Sequence, residues 1–165
     1  MDLIKSSPEP LKQLPVIIEK NNEMKKLIEE KESLEWMDSL IMPPKIIKLS
    51  QLIHEYEGNK PWHRAVRNKN PGNCRYYPKG YLLKYGVVTK DKDGFAVFSS
   101  MDIGWLYLQN MLLNWAKTTK ADWTILRMMK MYAPESDGNS PELYAQYLTK
   151  YLGIPASSKM KDLLV

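Results

Sequence analysis

The sequence predicts a mostly helical α+β domain with one small antiparallel sheet and a buried central helix. Three observations carry this. Within residues 45–57, Ile46, Leu49, Leu52, Ile53 and Tyr56 fall on one side of a helix. Asp93-Gly94 stands between two β-rich runs, Val87-Val88-Thr89 and Phe95-Ala96-Val97-Phe98, where a hairpin turn belongs. The stretch up to Lys117 carries Ile103, Trp105, Leu106, Tyr107, Leu108, Met111, Leu112, Leu113 and Trp115, which cover nearly every face of a helix. A helix apolar all round is expected to be buried all round.

The elements follow in order. Residues 1–16 read as an irregular lead-in, broken by Pro8, Pro10 and Pro15. Residues 17–40 carry a loose helical stripe that includes Ile17, Met24, Leu27, Leu34, Trp36 and Leu40, set among many Lys and Glu. Met42-Pro43-Pro44 breaks the chain. The expected division is therefore an N-terminal extension over 1–44 with a helix at about 17–40, a main domain over 45–154, and a peripheral tail over 155–165.

Gly58 is expected to cap the first domain helix in the left-handed conformation. Residues 59–80 contain Pro61, Pro71, Gly72, Pro78 and Gly80 and read as loop with specified turns. Residues 81–98 read as extended, with Tyr81-Leu82-Leu83 as a further strand-like run. Ser99 or Ser100 caps the central helix, and Asp102 sits in its first turn, where a negative charge suits the helix dipole. Asp122 is expected to cap a helix from Trp123 to about Tyr132, stopped by Ala133-Pro134. Ser140, Pro141 and Gly153 mark the cap, the first residue and the end of a last helix.

Composition narrows the function classes. The chain has 165 residues, 44% of them hydrophobic, which suffices for a real core. Its formal charge is +5, and the charges are interspersed. That suits an acidic polymer but offers no block of like charge for a nucleic-acid-binding arm. Nucleic acid is not an expected partner. Cys74 is the only cysteine, so no internal disulfide and no cysteine-based metal site can form. His54 and His63 sit in no ligand spacing, so neither metal nor cofactor is expected. The start lacks the apolar run of a secretory signal, and no window approaches a membrane span. A chain made in the cytoplasm is expected on that basis.

Glu57 is the residue most suggestive of chemistry. At about 100° per residue, it lies beside Ile46 and Ile53 in the apolar sector, whereas Glu55 points to the opposite side. It also sits in the last helical turn, at the negative end of the dipole. Partial burial and a negative neighbourhood both raise a carboxyl pKa. A general acid for glycoside cleavage needs that property. The competing structural role is an ion pair with Arg64, Arg67 or Arg75, and helix geometry alone favours the ion pair.

An ordered set of motifs changes the balance. Glu57-Gly58 is followed by Arg67-Asn68-Lys69-Asn70-Pro71-Gly72-Asn73, by Gly94-Phe95-Ala96-Val97-Phe98, and by Tyr132-Ala133-Pro134 with Asp137, Asn139 and Tyr144. Over roughly residues 46–154 this resembles the phage and bacterial lysozyme-like peptidoglycan-cleaving domains, which are distantly similar to goose-type lysozymes and soluble lytic transglycosylases. Two positions depart from the pattern: Lys69 stands where asparagine is common, and Cys74 where isoleucine or leucine is expected.

The resemblance implies a lysozyme-like fold and cleavage of the β-1,4 bond between N-acetylmuramic acid and N-acetylglucosamine. It assigns the general acid to Glu57 and places Asn70, Asn73 and Tyr132 near the cleft. It also implies that one glutamate suffices, with the substrate's acetamido group as nucleophile. Hydrolysis and formation of a 1,6-anhydro product both remain open. Of the possible second carboxylates, Asp91, Asp93, Asp102, Glu135 and Asp137, none has a decisive position in the sequence.

Asn139 and Trp62 complete the expected substrate-binding set. Amide groups bond acetamido and hydroxyl groups, and an aromatic face stacks on a sugar ring. Turn chemistry explains Asn73 and Asn139 equally well, and surface packing explains Trp62 equally well. Trp105 and Trp115 are expected in the core, and the Met128, Met129 and Met131 group as adaptable packing. The expected partners are peptidoglycan glycan strands, with virion or lysis-system proteins meeting the N-terminal helix. On this expectation the protein reaches the wall after release or as part of a phage particle. The alternative is a non-catalytic lysozyme-like module that binds glycan or builds a virion.

Overall fold

Pro44 opens the first helix of the structure, a computed structural model that describes residues 42–76 and 87–165. Proline suits that position because its missing N–H would be unpaired there in any case. Helix α1 spans Pro44–Glu57 and buries Ile46, Leu49, Leu52 and Ile53. Tyr56, expected on the same side, lies at its edge, where it is exposed and stacks on Tyr144 at 3.7 Å between ring centroids. Gly58 ends the helix and donates its N–H to the His54 carbonyl. Its φ of 105° and ψ of 124° are positive-φ but not left-handed helical, which corrects the expected cap geometry. Glycine is required there on two counts, because any Cβ would also run into the His63 ring.

A short helix α2 follows, Arg64–Arg67. Strands β1 (Val87–Lys90) and β2 (Ala96–Phe98) form an antiparallel hairpin with an irregularity between Val87 and Thr89. Asp91 organises its turn. One side-chain oxygen accepts from the N–H groups of Asp93 and Phe95, and Gly94 takes a φ of 86°. The segment before the hairpin runs beside β2. Arg75 bridges Phe95, and the Ala96 N–H donates to the Cys74 carbonyl. The expected run Tyr81-Leu82-Leu83 and the expected N-terminal helix lie outside the described residues.

Helix α3 spans Met101–Lys117, and the Ser100 hydroxyl accepts from the Ile103 N–H as its cap. It buries Tyr107, Leu108, Leu112 and Leu113, but Leu106 is 46% exposed, and Asp102, Asn114 and Lys117 face solvent. Burial on every side is thus corrected: the helix keeps one wet face. Gly104 lets the Lys69–Pro71 loop lie directly on it, since a Cβ there would press on the Lys69 carbonyl and come within 2.7 Å of Pro71 Cδ.

Helix α4 spans Ile125–Tyr132, with Thr124 as its cap. Asp122, the expected cap, instead pairs with Lys159 and Lys161. Backbone pairing explains the shift. Residues 121–124 bond to the C-terminal segment through Met160 N–H to Trp123 O and Lys161 N–H to Ala121 O, so they are not free to continue a helix. A 3-10 turn at Glu135–Asp137 leads to helix α5, Pro141–Leu152, closed by Gly153 in the left-handed conformation. Helix α4 packs on α5, and α1 packs on both α3 and α5.

The expected peripheral tail is not peripheral. Residues Met160–Leu164 form a 3-10 helix against α1 and α3, and Met160 and Leu163 are 0% exposed. Burying two such side chains is worth about 3–6 kcal/mol in apolar transfer. The described residues therefore form a mostly helical α+β unit running from Met42 to Val165, with a small two-stranded antiparallel sheet.

Candidate active site

Glu57 ends α1 at the wall of a cleft of about 410 Å³. Asn73, Tyr132, Asp137 and Asn139 line the same cleft, as do Arg64, Arg75, Trp115 and Lys120. The cleft therefore draws its walls from α1, the loop before the hairpin, β2's approach, α3, and the end of α4 with the turn that follows.

The carboxylate of Glu57 is held by neutral donors. Asn73 Nδ2 donates to Oε2 at 2.8 Å, and the Tyr144 hydroxyl lies 3.1 Å from Oε1. The Tyr144 hydroxyl also lies 3.3 Å from the Ile53 carbonyl. Its single proton serves one of these at a time, so it can donate to the carbonyl and accept from a protonated Glu57. Asn73 reaches the carboxylate from a backbone φ of 47°, a conformation asparagine tolerates better than most residues. Its Oδ1 is buried without a hydrogen-bond partner among the described residues.

Burial pushes the Glu57 carboxyl up. The Asn73 and Tyr144 hydrogen bonds and the Arg64 charge pull it down, and burial wins, leaving the pKa above the ordinary 4.5. The structural ion pair foreseen for Glu57 does not form with Arg64, Arg67 or Arg75. Arg64 pairs with Asp91 and Asp93, Arg75 pairs with Asp137, and no salt bridge reaches Glu57 among the described residues.

Beside Glu57 the wall is a small polar chain packed in apolar surroundings. The Tyr132 hydroxyl donates to the Gly72 carbonyl. Having no second proton, it accepts from the Cys74 thiol at 3.8 Å. Burial pushes the Cys74 thiol up to about 12 and the Tyr132 hydroxyl well above its ordinary value, so both stay neutral. Gly72 is a contact glycine, since a Cβ would sit 2.5 Å from the Tyr132 hydroxyl and 2.8 Å from Leu108 Cδ1. His54 Nδ1 lies 3.1 Å from the Pro71 carbonyl, which requires a proton on that nitrogen and ties α1 to the same loop.

Two expected site residues lie elsewhere. Asn70 is 0% exposed, donates to the Cys74 and Ala96 carbonyls and accepts from the Cys74 N–H, all at 2.9 Å. It staples the loop to the sheet and has no surface to offer a substrate. Trp62 is 71% exposed, rests edge-on against His63, and is not part of the cleft wall. Asn73, Tyr132 and Asn139 do line it, although Asn73 spends its donor on Glu57. Of the five possible second carboxylates, only Asp137 lines the cleft, held by Arg75 at 2.6 Å.

Several residues of the site were not foreseen. Tyr144 stood among the ordered motifs but not among the expected site residues. Its signal was a polar tip within the apolar stripe Tyr144, Ala145, Leu148 of α5, since a buried tyrosine hydroxyl needs a partner. Trp115 and Met131, expected as packing, face the cleft. Among the described residues no three His, Cys, Asp or Glu side chains converge as a metal site would require. No described helix is long and apolar enough to cross a membrane. Comparison with protein-family models, with curated proteins and with solved structures finds no match for this chain.

Proposed function

We propose that this is a lysozyme-like peptidoglycan-cleaving glycosidase with Glu57 as its general acid and base. One observation carries the reading. Glu57 lines an open cleft, its pKa is raised by burial, and its hydrogen-bond partners are neutral. A carboxyl group in that setting keeps its proton to higher pH than an ordinary glutamate does, which suits a proton donor. The order of the motifs around it supports the choice of substrate.

The proposed reaction uses one carboxylate. Glu57 protonates the glycosidic oxygen, and the acetamido oxygen of the N-acetylmuramic acid attacks its anomeric carbon as the C–O bond breaks. Glu57, now ionised, takes a proton from water or from the muramoyl 6-hydroxyl. That oxygen opens the cyclic intermediate, giving a reducing end or a 1,6-anhydro end. The engagement of Asp137 by Arg75 favours this route over a two-carboxylate one. Delivery to the wall after release, or on a virion, belongs to the same proposal.

The test is mass spectrometry of fragments released from purified peptidoglycan, with Glu57→Gln as control. Muramoyl ends, reducing or anhydro, that disappear in the variant are the expected result. Fragments that persist in Glu57→Gln overturn the role of Glu57. A folded protein that releases nothing but still binds the wall is a non-catalytic glycan-binding module.

A further inference from the structure

Lys120 differs from the other cations of the cleft. Arg64 is matched by Asp91 and Asp93, and Arg75 by Asp137. Lys120 has no carboxylate partner among the described residues. The nearest acid in sequence, Asp122, is taken by Lys159 and Lys161. The same C-terminal segment pins the turn that carries Lys120, through Met160 N–H to Trp123 O and Lys161 N–H to Ala121 O.

The ammonium group is nevertheless held in place. It sits 4.5 Å from the Trp115 ring centroid and 5.7 Å from that of Trp123. Trp115 in turn meets Tyr132 edge-on at 6.2 Å, and Tyr132 bonds Gly72, next to the Asn73 that holds Glu57. One continuous wall therefore runs from Glu57 to an oriented, uncompensated positive charge. A charge fixed over aromatic rings has little freedom left to lose on pairing with an anion, and a half-buried setting weakens screening.

The geometry points to Lys120 as a subsite for a carboxylate carried on a sugar ring bound in the cleft. The inference rests on the glycosidase reading and deepens it, because a carboxylate substituent separates muramoyl glycans from plain N-acetylglucosamine polymers. The carboxylate comes either from the lactyl group of a peptide-free ring or from the stem peptide.

The experiment measures binding to full-length Glu57→Gln protein, with Lys120 intact, as Lys120→Met, and as Lys120→Arg. Three glycans serve as probes: peptide-stripped wall glycan, wall glycan with intact stems, and N-acetylglucosamine oligomers. Methionine keeps a stem of similar length on Trp115, and arginine keeps the charge. Lys120→Met is expected to weaken binding of one or both wall glycans about tenfold, as loss of a charge-assisted hydrogen bond does. It should leave the oligomers unchanged, and Lys120→Arg should restore the preference. Loss on the stripped glycan identifies the lactyl carboxylate; loss confined to intact glycan identifies the stem. Equal loss on all three probes, or no loss on any, overturns the inference. Fragments released by Glu57→Gln strike the catalytic reading separately, and a protein that binds no glycan overturns both.

Discussion

Glu57 and Asp91 feel the same cation and respond in opposite directions. Arg64 lowers the pKa of each. At Glu57, burial outweighs that charge and two neutral hydrogen bonds, so the carboxyl is raised. At Asp91, burial also pushes upward. There, bonds from the Phe95 N–H, the Asn68 amide and the Asp93 N–H, together with Arg64, outweigh it and hold the carboxyl low. A helix end packed against apolar side chains raises a carboxyl pKa, and a turn rich in N–H groups lowers one. Cation proximity alone distinguishes nothing here.

The largest expected effect breaks the Glu57 side of this contrast. Glu57→Gln should lower the rate of glycan cleavage by at least about 100-fold, the usual range for loss of a general acid, with folding checked by circular dichroism. Next comes the opposite side. Asp91→Ala removes the acceptor for three donors and should cost about 1.5 kcal/mol in denaturant unfolding. The sign with pH follows from the lowered pKa. The stabilisation is present above the ordinary aspartate value of 3.8 and is lost as pH falls through the folded value. The gap between wild type and Asp91→Ala should therefore close in acid.

Two smaller effects sharpen the comparison. Asn73→Ala deletes a bond that favours ionised Glu57, so the alkaline limb of the pH–rate profile should move to higher pH. A limb that moves down, or stays put, removes Asn73 from the control of Glu57. The least effect concerns stability at Glu57 itself. Below its ordinary value of 4.5 the acid is protonated in both folded and unfolded chains. As pH rises, the unfolded chain releases its proton first, and the folded state loses stability until its own pKa is passed. Glu57→Gln should thus gain on wild type from acid to neutral pH, read by chemical denaturation.

What was legible in the sequence was local chemistry. Asp93-Gly94, the Ser100 cap, Pro141 and Gly153 each act within a few residues, and each stands where expected. The inward face of Glu57 was legible for the same reason, being set by helical spacing from Ile46 and Ile53. What failed depended on distant partners. Asp122 lost the cap to Thr124 because residues 121–124 pair with 159–161. An asparagine in a turn looks alike whether it faces a cleft or staples a sheet, so Asn70 and Asn73 were not separable until Ala96 and Glu57 came into view.

The 3-10 helix at Met160–Leu164 has a consequence for how the molecule comes into being. It packs against α1, more than a hundred residues earlier, and against α3. Synthesis delivers the chain N-terminus first. Every helix from α1 to α5 is therefore made before Met160 and Leu163 can take their places. Until then the surfaces they cover remain wet and apolar, and the turn carrying Lys120 lacks its backbone bonds from Met160 and Lys161. Completion of the core and of that end of the cleft both wait for residues 160–164. A chain that lacks this helix exposes that apolar surface and is prone to aggregate.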